Sequence, residues 1–237
     1  GADTLLKPAD TEAMIQGLIE AVRSGRIAET RLNESVRKIL AWKYQLGLAK
    51  QKITPLDQID RIVSSRDVEA LANEIAARSI TLVRNDSNLL PLDRTKKVAV
   101  LGVSNGFDGT TTMSSLVNSL RANGIKFESA YLQENSTADQ IAGAKKTVET
   151  ADTIIVGLYG RVRTGAKNSV GLPEDGATIL RDLIAAKRDI IGVSFGNPYI
   201  LSAFPDMKTY LVAYGDMYSL QRAAANAITG GQAITGR

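Results

Sequence analysis

The residues best suited to recognition or chemistry fall in three loops, each leaving an apolar run. The longest is Tyr159-Gly160-Arg161-Val162-Arg163-Thr164-Gly165-Ala166-Lys167-Asn168-Ser169. Arg161 and Arg163 offer planar forks that match a carboxylate or a pair of sugar hydroxyls, and Asn168 adds an amide. Ordinary ion pairs of a surface or interdomain loop are the more common use of such arginines. In Ser194-Phe195-Gly196-Asn197-Pro198-Tyr199, Gly196 and Pro198 shape a sharp turn, while Asn197 and Tyr199 carry polar groups. Turn chemistry plus one packed aromatic accounts for that segment as well. The third loop, Gly102-Val-Ser-Asn-Gly106-Phe-Asp-Gly109, sits where a phosphate cradle would, between a strand and a helix. Its spacing fits neither dinucleotide-binding nor P-loop patterns, so it reads as a glycine-rich βα turn. Glu174 and Asp175, beside Pro173, suit a helix start, where the dipole favours negative charge. No two carboxylates have a spacing that assigns an acid and a nucleophile.

Composition narrows the chemistry further. The 237 residues include no cysteine and no histidine. Thiol catalysis, disulfides, Ser-His-Asp triads, imidazole acid–base steps and the usual zinc sites are therefore outside this chain's means. No metal or cofactor is assigned. The net charge of +4 comes from 29 basic and 25 acidic residues that are dispersed along the chain. Nucleic-acid surfaces cluster such charge, so no nucleic-acid partner is expected. No run reaches the ~18 apolar residues of a membrane span, and the first residues lack the pattern of a signal peptide. Secreted, periplasmic and cytoplasmic locations all remain compatible.

The elements that must position these loops follow from periodicity. Ala2–Leu6 reads as a short buried strand. Asp10 or Thr11 then caps a helix with Met14, Ile15, Leu18, Ile19 and Val22 on one face, stopped at Gly25. A second helix starts near Thr30, carries Leu32, Val36, Ile39, Leu40 and Leu46, and stops at Gly47. A lone strand and two helices cannot cover their own apolar faces. They are expected to be the end of a (β/α) barrel, with an independent helical hairpin as the alternative. Residues 49–95 read as a linker with a lead-in helix and strand, where Ser64-x-x-Asp67 resembles a capping box. From residue 96 the apolar runs near 98–103, 153–158, 189–194 and 209–214, with a weaker strand over 127–132, alternate with amphipathic helices. Strands that are apolar at every position are buried on both faces. The expected fold is α/β, a three-layer α/β/α sandwich with a mainly parallel sheet over residues 96–237, preceded by a barrel remnant at 1–48.

Several motifs in order resemble glycoside hydrolase family 3. Gly1-Ala2-Asp3-Thr4-Leu5-Leu6-Lys7-Pro8 is similar to the family's AGAD-x-LL-x-P stretch on the last barrel strand, and Ile19–Ile27 to the closing barrel helix. Arg31-Leu-Asn-Glu-Ser-Val-Arg-Lys-Ile-Leu40 resembles RLDESVRRIL, with Asn33 where Asp is common. Ala77–Asn85 and Leu89-Leu-Pro-Leu92 resemble the start of the C-terminal sandwich. Val156–Arg163, Leu172–Asp175 and Val193–Tyr199 look most like the β-N-acetylglucosaminidase branch. The final Ile234-Thr-Gly-Arg237 is similar to the stretch preceding a closing strand.

The resemblance implies a retaining β-glycosidase whose nucleophile, a barrel Asp, and Asp–His acid/base dyad lie outside this chain. Some relatives draw an acid/base Glu from the sandwich, and no Glu here aligns with it. No catalytic residue is assigned. Arg161, Arg163, Asn168, Asn197 and Tyr199 are the candidates for contact with substrate or barrel. The implied partners are the barrel of the same protein and a chitin- or peptidoglycan-derived carbohydrate, and self-association is expected through the uncovered helices. A non-catalytic carbohydrate-binding or scaffolding module is the alternative.

Overall fold

The computed structural model describes residues 2–63, 65–164 and 168–236. The chain divides into two compact units, Gly1–Val63 and Ser64–Arg237.

In the first unit, α1 (Thr11–Arg23) is capped by Asp10, whose carboxylate accepts from the Ala13 N–H at 3.0 Å. It gives way at Gly25, whose φ of +74° is favourable only without a side chain. α2 (Glu29–Gln45) and a single turn, α3 (Ile59–Ile62), follow. The expected strand over Ala2–Leu6 does not form, and Leu6 is 97% exposed. A strand needs a neighbour to satisfy its N–H and C=O groups, and among the described residues this unit has no other. Asp3 instead ties the segment to α2. Its Oδ1 accepts from Arg31 Nη2 at 2.9 Å and Ser35 Oγ at 2.8 Å, and its Oδ2 accepts from Lys38 Nζ at 3.0 Å. Beside it lies a cavity of about 730 Å3 lined by Leu5, Met14, Leu18, Ile19, Val22 and Leu32. Its apolar lining is what sequence periodicity places on one face of each helix.

The second unit opens with α4 (Arg66–Ser79). Its cap is Ser65, whose Oγ accepts from the Val68 N–H at 3.3 Å. The capping residue thus stands one place beyond the expected Ser64, which lies outside the described residues. β1 (Thr81–Asn85), β2 (Val98–Ser104), α5 (Ser114–Ala122) and β3 (Phe127–Leu132) follow. Next come α6 (Ala138–Glu149), β4 (Thr153–Tyr159), α7 (Glu174–Ala185), β5 (Asp189–Ser194), β6 (Thr209–Val212) and α8 (Tyr218–Ile228). β6 ends two residues earlier than its apolar run, and Tyr214 turns into the left-handed region at φ 64°. α6 begins with a complete capping box between Thr137 and Gln140.

The sheet order is β1-β6-β5-β4-β2-β3, parallel except for the antiparallel edge pair β1–β6. Alternate strand residues feed two separate cores. Val98, Val100, Ile155, Tyr159, Ile191 and Val193 pack with α4, α5 and α8. Ala99, Leu101, Ile154, Val156, Leu158 and Tyr210 pack with α6 and α7. The three-layer α/β/α sandwich with a mainly parallel sheet is thus as expected, and its physical cause is the double-sided burial of β2 and β4. β2 leads to β3 through α5 on one face, whereas β4 leads to β5 through α7 on the other. The carboxyl ends of the adjacent strands β2 and β4 therefore flank a topological switch point, where the departing loops splay apart and leave a crevice.

Candidate functional site

The loops after β2 and β4 meet at that switch point, and a buried side chain bonds across them. Asn105, immediately after β2, is fully buried at 0% exposure. Its Nδ2 donates to the Arg161 carbonyl at 2.8 Å and to the Asn168 carbonyl at 2.6 Å, while its Oδ1 accepts from the Arg161 N–H at 3.1 Å. Its own carbonyl accepts from Arg163 Nη1. Arg163 also stacks on Phe107, 4.7 Å from the ring centre, and its N–H donates to the Ser169 carbonyl at 2.7 Å. Asn168 Nδ2 donates to both Glu134 oxygens, at 2.9 and 3.1 Å. Gly165, Ala166 and Lys167 lie outside the described residues.

Arg161 is held by two carboxylates. Its Nε donates to Asp216 Oδ2 at 2.7 Å, its Nη2 lies 2.5 Å from the same oxygen, and its Nη1 pairs with Asp108. Burial alone would lower the guanidinium pKa. The hydrogen bond and charge of Asp216, then those of Asp108, outweigh it and raise the pKa. Of the two uses for this arginine, the structure displays ion pairs to neighbouring loops, so the Arg161 fork is occupied by protein carboxylates. Beneath it, buried Gln221 donates to the Asp216 carbonyl at 2.6 Å and the Thr112 carbonyl at 2.9 Å. Gln221 Oε1 accepts from the Leu116 N–H at 3.0 Å and from Tyr159 Oη at 3.3 Å. Burial pushes the Tyr159 phenol well above its ordinary range, with Tyr131 and Asp216 adding to the effect. Tyr159 therefore stays a neutral donor. A polar cavity of about 240 Å3 opens here, lined by Asp108, Thr111, Thr112, Ser115, Arg161 and Asp216.

Asn197 and Tyr199 belong to a neighbouring groove. The Asn197 N–H donates to the Gly160 carbonyl at 2.9 Å, its Nδ2 donates to the Val170 carbonyl at 2.8 Å, and its Oδ1 accepts from the Tyr199 N–H at 3.0 Å. The groove, about 520 Å3, runs between residues 170–174 and the 3-10 turn Pro198–Ala203, with Tyr199 79% exposed on its rim. The structure thus gathers Arg161, Arg163 and Asn168 around Asn105 and sets Asn197 and Tyr199 beside them. Sequence reasoning missed Asn105, Asp108, Glu134, Asp216 and Gln221. The polar pair Ser104-Asn105 closing an apolar run was a signal for Asn105. Asp216 and Gln221 lie more than 50 residues from Arg161 and carried none. Among the described residues, no cluster of three or more acidic side chains can hold a metal ion. No helix among them is long and apolar enough to cross a membrane.

Comparison with known proteins matches this architecture. Residues 80–237 match the model of the glycosyl hydrolase family 3 C-terminal domain. A β-N-acetylglucosaminidase/β-glucosidase of Cellulomonas fimi is 27% identical over 228 residues, covering 91% of this chain and 39% of that protein. A periplasmic β-glucosidase/β-xylosidase of Dickeya chrysanthemi is 38% identical over 87 residues, covering 37% of this chain and 13% of that protein. The solved family 3 β-N-acetylglucosaminidase of Paenibacillus sp. str. FPU-7 superposes with a TM-score of 0.76 at 26% identity, covering 95% of this chain and 42% of that one. The chain thus spans well under half of the relatives it matches. With its mainly parallel sheet, its two covering helix layers and this match over two thirds of its length, the chain belongs to glycosyl hydrolase family 3 and carries that family's C-terminal domain.

Proposed function

We propose that this chain is the sandwich half of a retaining β-glycosidase that removes terminal β-N-acetylglucosamine from chitin- or peptidoglycan-derived sugars. In this reading the chain works with a (β/α)8 barrel of the same protein, which supplies the nucleophile and the acid/base pair. The observation that carries the reading is the organised crevice at the switch point, where three loops are tied together at the carboxyl edge of the sheet. The likeness to the Cellulomonas fimi and Paenibacillus enzymes supports the sugar. The chain's own role is to wall the site. Arg163 stacked on Phe107, and Tyr199 on its groove rim, present the flat surfaces suited to a sugar ring or to the barrel.

Retaining hydrolysis needs two groups on opposite sides of one bond, ~5 Å apart in the common two-carboxylate version. A displacement of ~1 Å costs on the order of a hundredfold in rate. Residues 1–237 alone should therefore leave 4-nitrophenyl N-acetyl-β-glucosaminide at its background rate. The protein that carries the barrel should hydrolyse it in preference to the β-glucoside. Turnover by the isolated chain that one carboxylate substitution abolishes would move the active site into this domain. A preference for the glucoside would remove the finer substrate assignment.

A further inference from the structure

We infer that Asn105 is a positioning residue, a buried tie that fixes the base of the loop after β4 against the loop after β2 at the carboxyl edge of the sheet and so sets how the crevice meets its ligand. The inference rests on the reading above for its ligand, and on geometry alone for the tie.

Asn105 is separated from the loop by more than 50 residues, yet its side chain spends both amide protons and its carbonyl on that loop's backbone. The two donor bonds reach opposite legs, Arg161 on the outgoing side and Asn168 on the returning side. The legs are also bonded to each other through the Arg163 N–H and the Ser169 carbonyl. The main chain of Asn105 then accepts from Arg163. One buried residue thus fixes the base of the loop, the backbone of Arg161 and the side chain of Arg163.

A packing role would not require this pattern. An apolar residue would fill the same space at the end of an apolar strand without needing three partners. A fully buried amide at this place pairs backbone groups of the partly buried Arg161 and Asn168, which would lose those partners without it. The exposed pairs around Arg161 cannot substitute, since their side chains sit partly in water and are screened there. Asn105 therefore decides whether the loop has one position or several.

The test compares wild type with Asn105→Ala, and with Asn105→Ser should alanine prevent folding. Hydrogen exchange in the 237-residue chain should quicken at the Arg161 and Arg163 amides by ~10-fold or more, with the β4 amides Ile155 and Val156 unchanged. In the protein that carries the barrel, KM for the chromogenic N-acetylglucosaminide should rise ~10-fold while kcat stays within ~3-fold, because the wall is displaced and the reacting groups are not. Unchanged exchange at Arg161 and Arg163 would overturn the tie. Faster exchange with an unchanged KM would overturn the positioning role. Failure of both variants to fold would assign Asn105 to global stability instead. A wild-type protein without β-glycosidase turnover would sink the functional reading, and the exchange result would still decide the tie.

Discussion

Arg161 shows how one residue can be read two ways and be settled only by its neighbours. Its fork faces Asp108 and Asp216, and both ion pairs keep part of their surface in water, with the arginine side chain 40% exposed. Screening keeps such pairs small, so Arg161→Lys should cost the chain only about 1 kcal/mol or less by urea unfolding. Tyr159→Phe removes a buried donor to Gln221 and should cost about 1 kcal/mol by the same measure, because a buried acceptor loses a partner. Asp3 gives a pH dependence. Hydrogen bonds from Ser35, then Lys38, then Arg31 hold its carboxyl well below the usual carboxylate range. A depressed folded pKa adds stability that is fully present above the unfolded value of about 3.9 and is lost as pH falls towards the folded one. The first unit should therefore melt at lower temperature as pH drops below about 4, and Asp3→Asn should flatten that slope.

At the scale of elements, the site depends on how closely the loops after β4 and β5 approach. A Cβ on Gly196 would stand 2.4 Å from the Gly160 carbonyl oxygen, a backbone atom that cannot swing aside. Gly196→Ala should destabilise the second unit by about 1–3 kcal/mol and displace Asn197 from the Gly160 and Val170 carbonyls. Denaturant unfolding checks the first effect, and the chemical shift of the Asn197 amide the second. The helices tell a different story, since their starts obey local chemistry. Asp10, Ser65 and Thr137 each cap with their own side chain, as a residue of that type before an apolar periodic run is expected to do.

For the whole molecule, the first unit carries much exposed apolar surface. Leu32, Val36 and Leu40 on α2 are exposed, as are Ile15, Leu18 and Ile19 on α1. Contiguous apolar surface beyond a few hundred Å2 attracts a partner. The isolated chain should associate in a concentration-dependent way by light scattering, and the double variant Leu32→Glu, Leu18→Glu should be monomeric. A wild-type chain that stays monomeric at high concentration would contradict this. Burial of the same side chains by a barrel in the longer protein would make the association a property of the chain in isolation.

By itself the sequence determined the class of fold, because that information is local. Continuous apolar runs, such as Val98–Val103 and Ile154–Leu158, demand cover on both faces, and glycines and capping residues mark where helices begin and end. It also determined which chemistries the chain lacks, since neither histidine nor cysteine is present. Local pattern failed at Ala2–Leu6, where an apolar run has no strand to pair with and an ionic tie to α2 takes over. Tertiary structure alone decided the site. Whether Arg161 is free or bound depends on Asp108 and Asp216, each more than 50 residues away. That Asn105 is a tie between loops, and not one more polar residue in a glycine-rich turn, depends on the register that sets β2 beside β4. Side-chain partners at such separations leave no periodicity in the chain, because strand order and the side on which each helix crosses determine which loops meet.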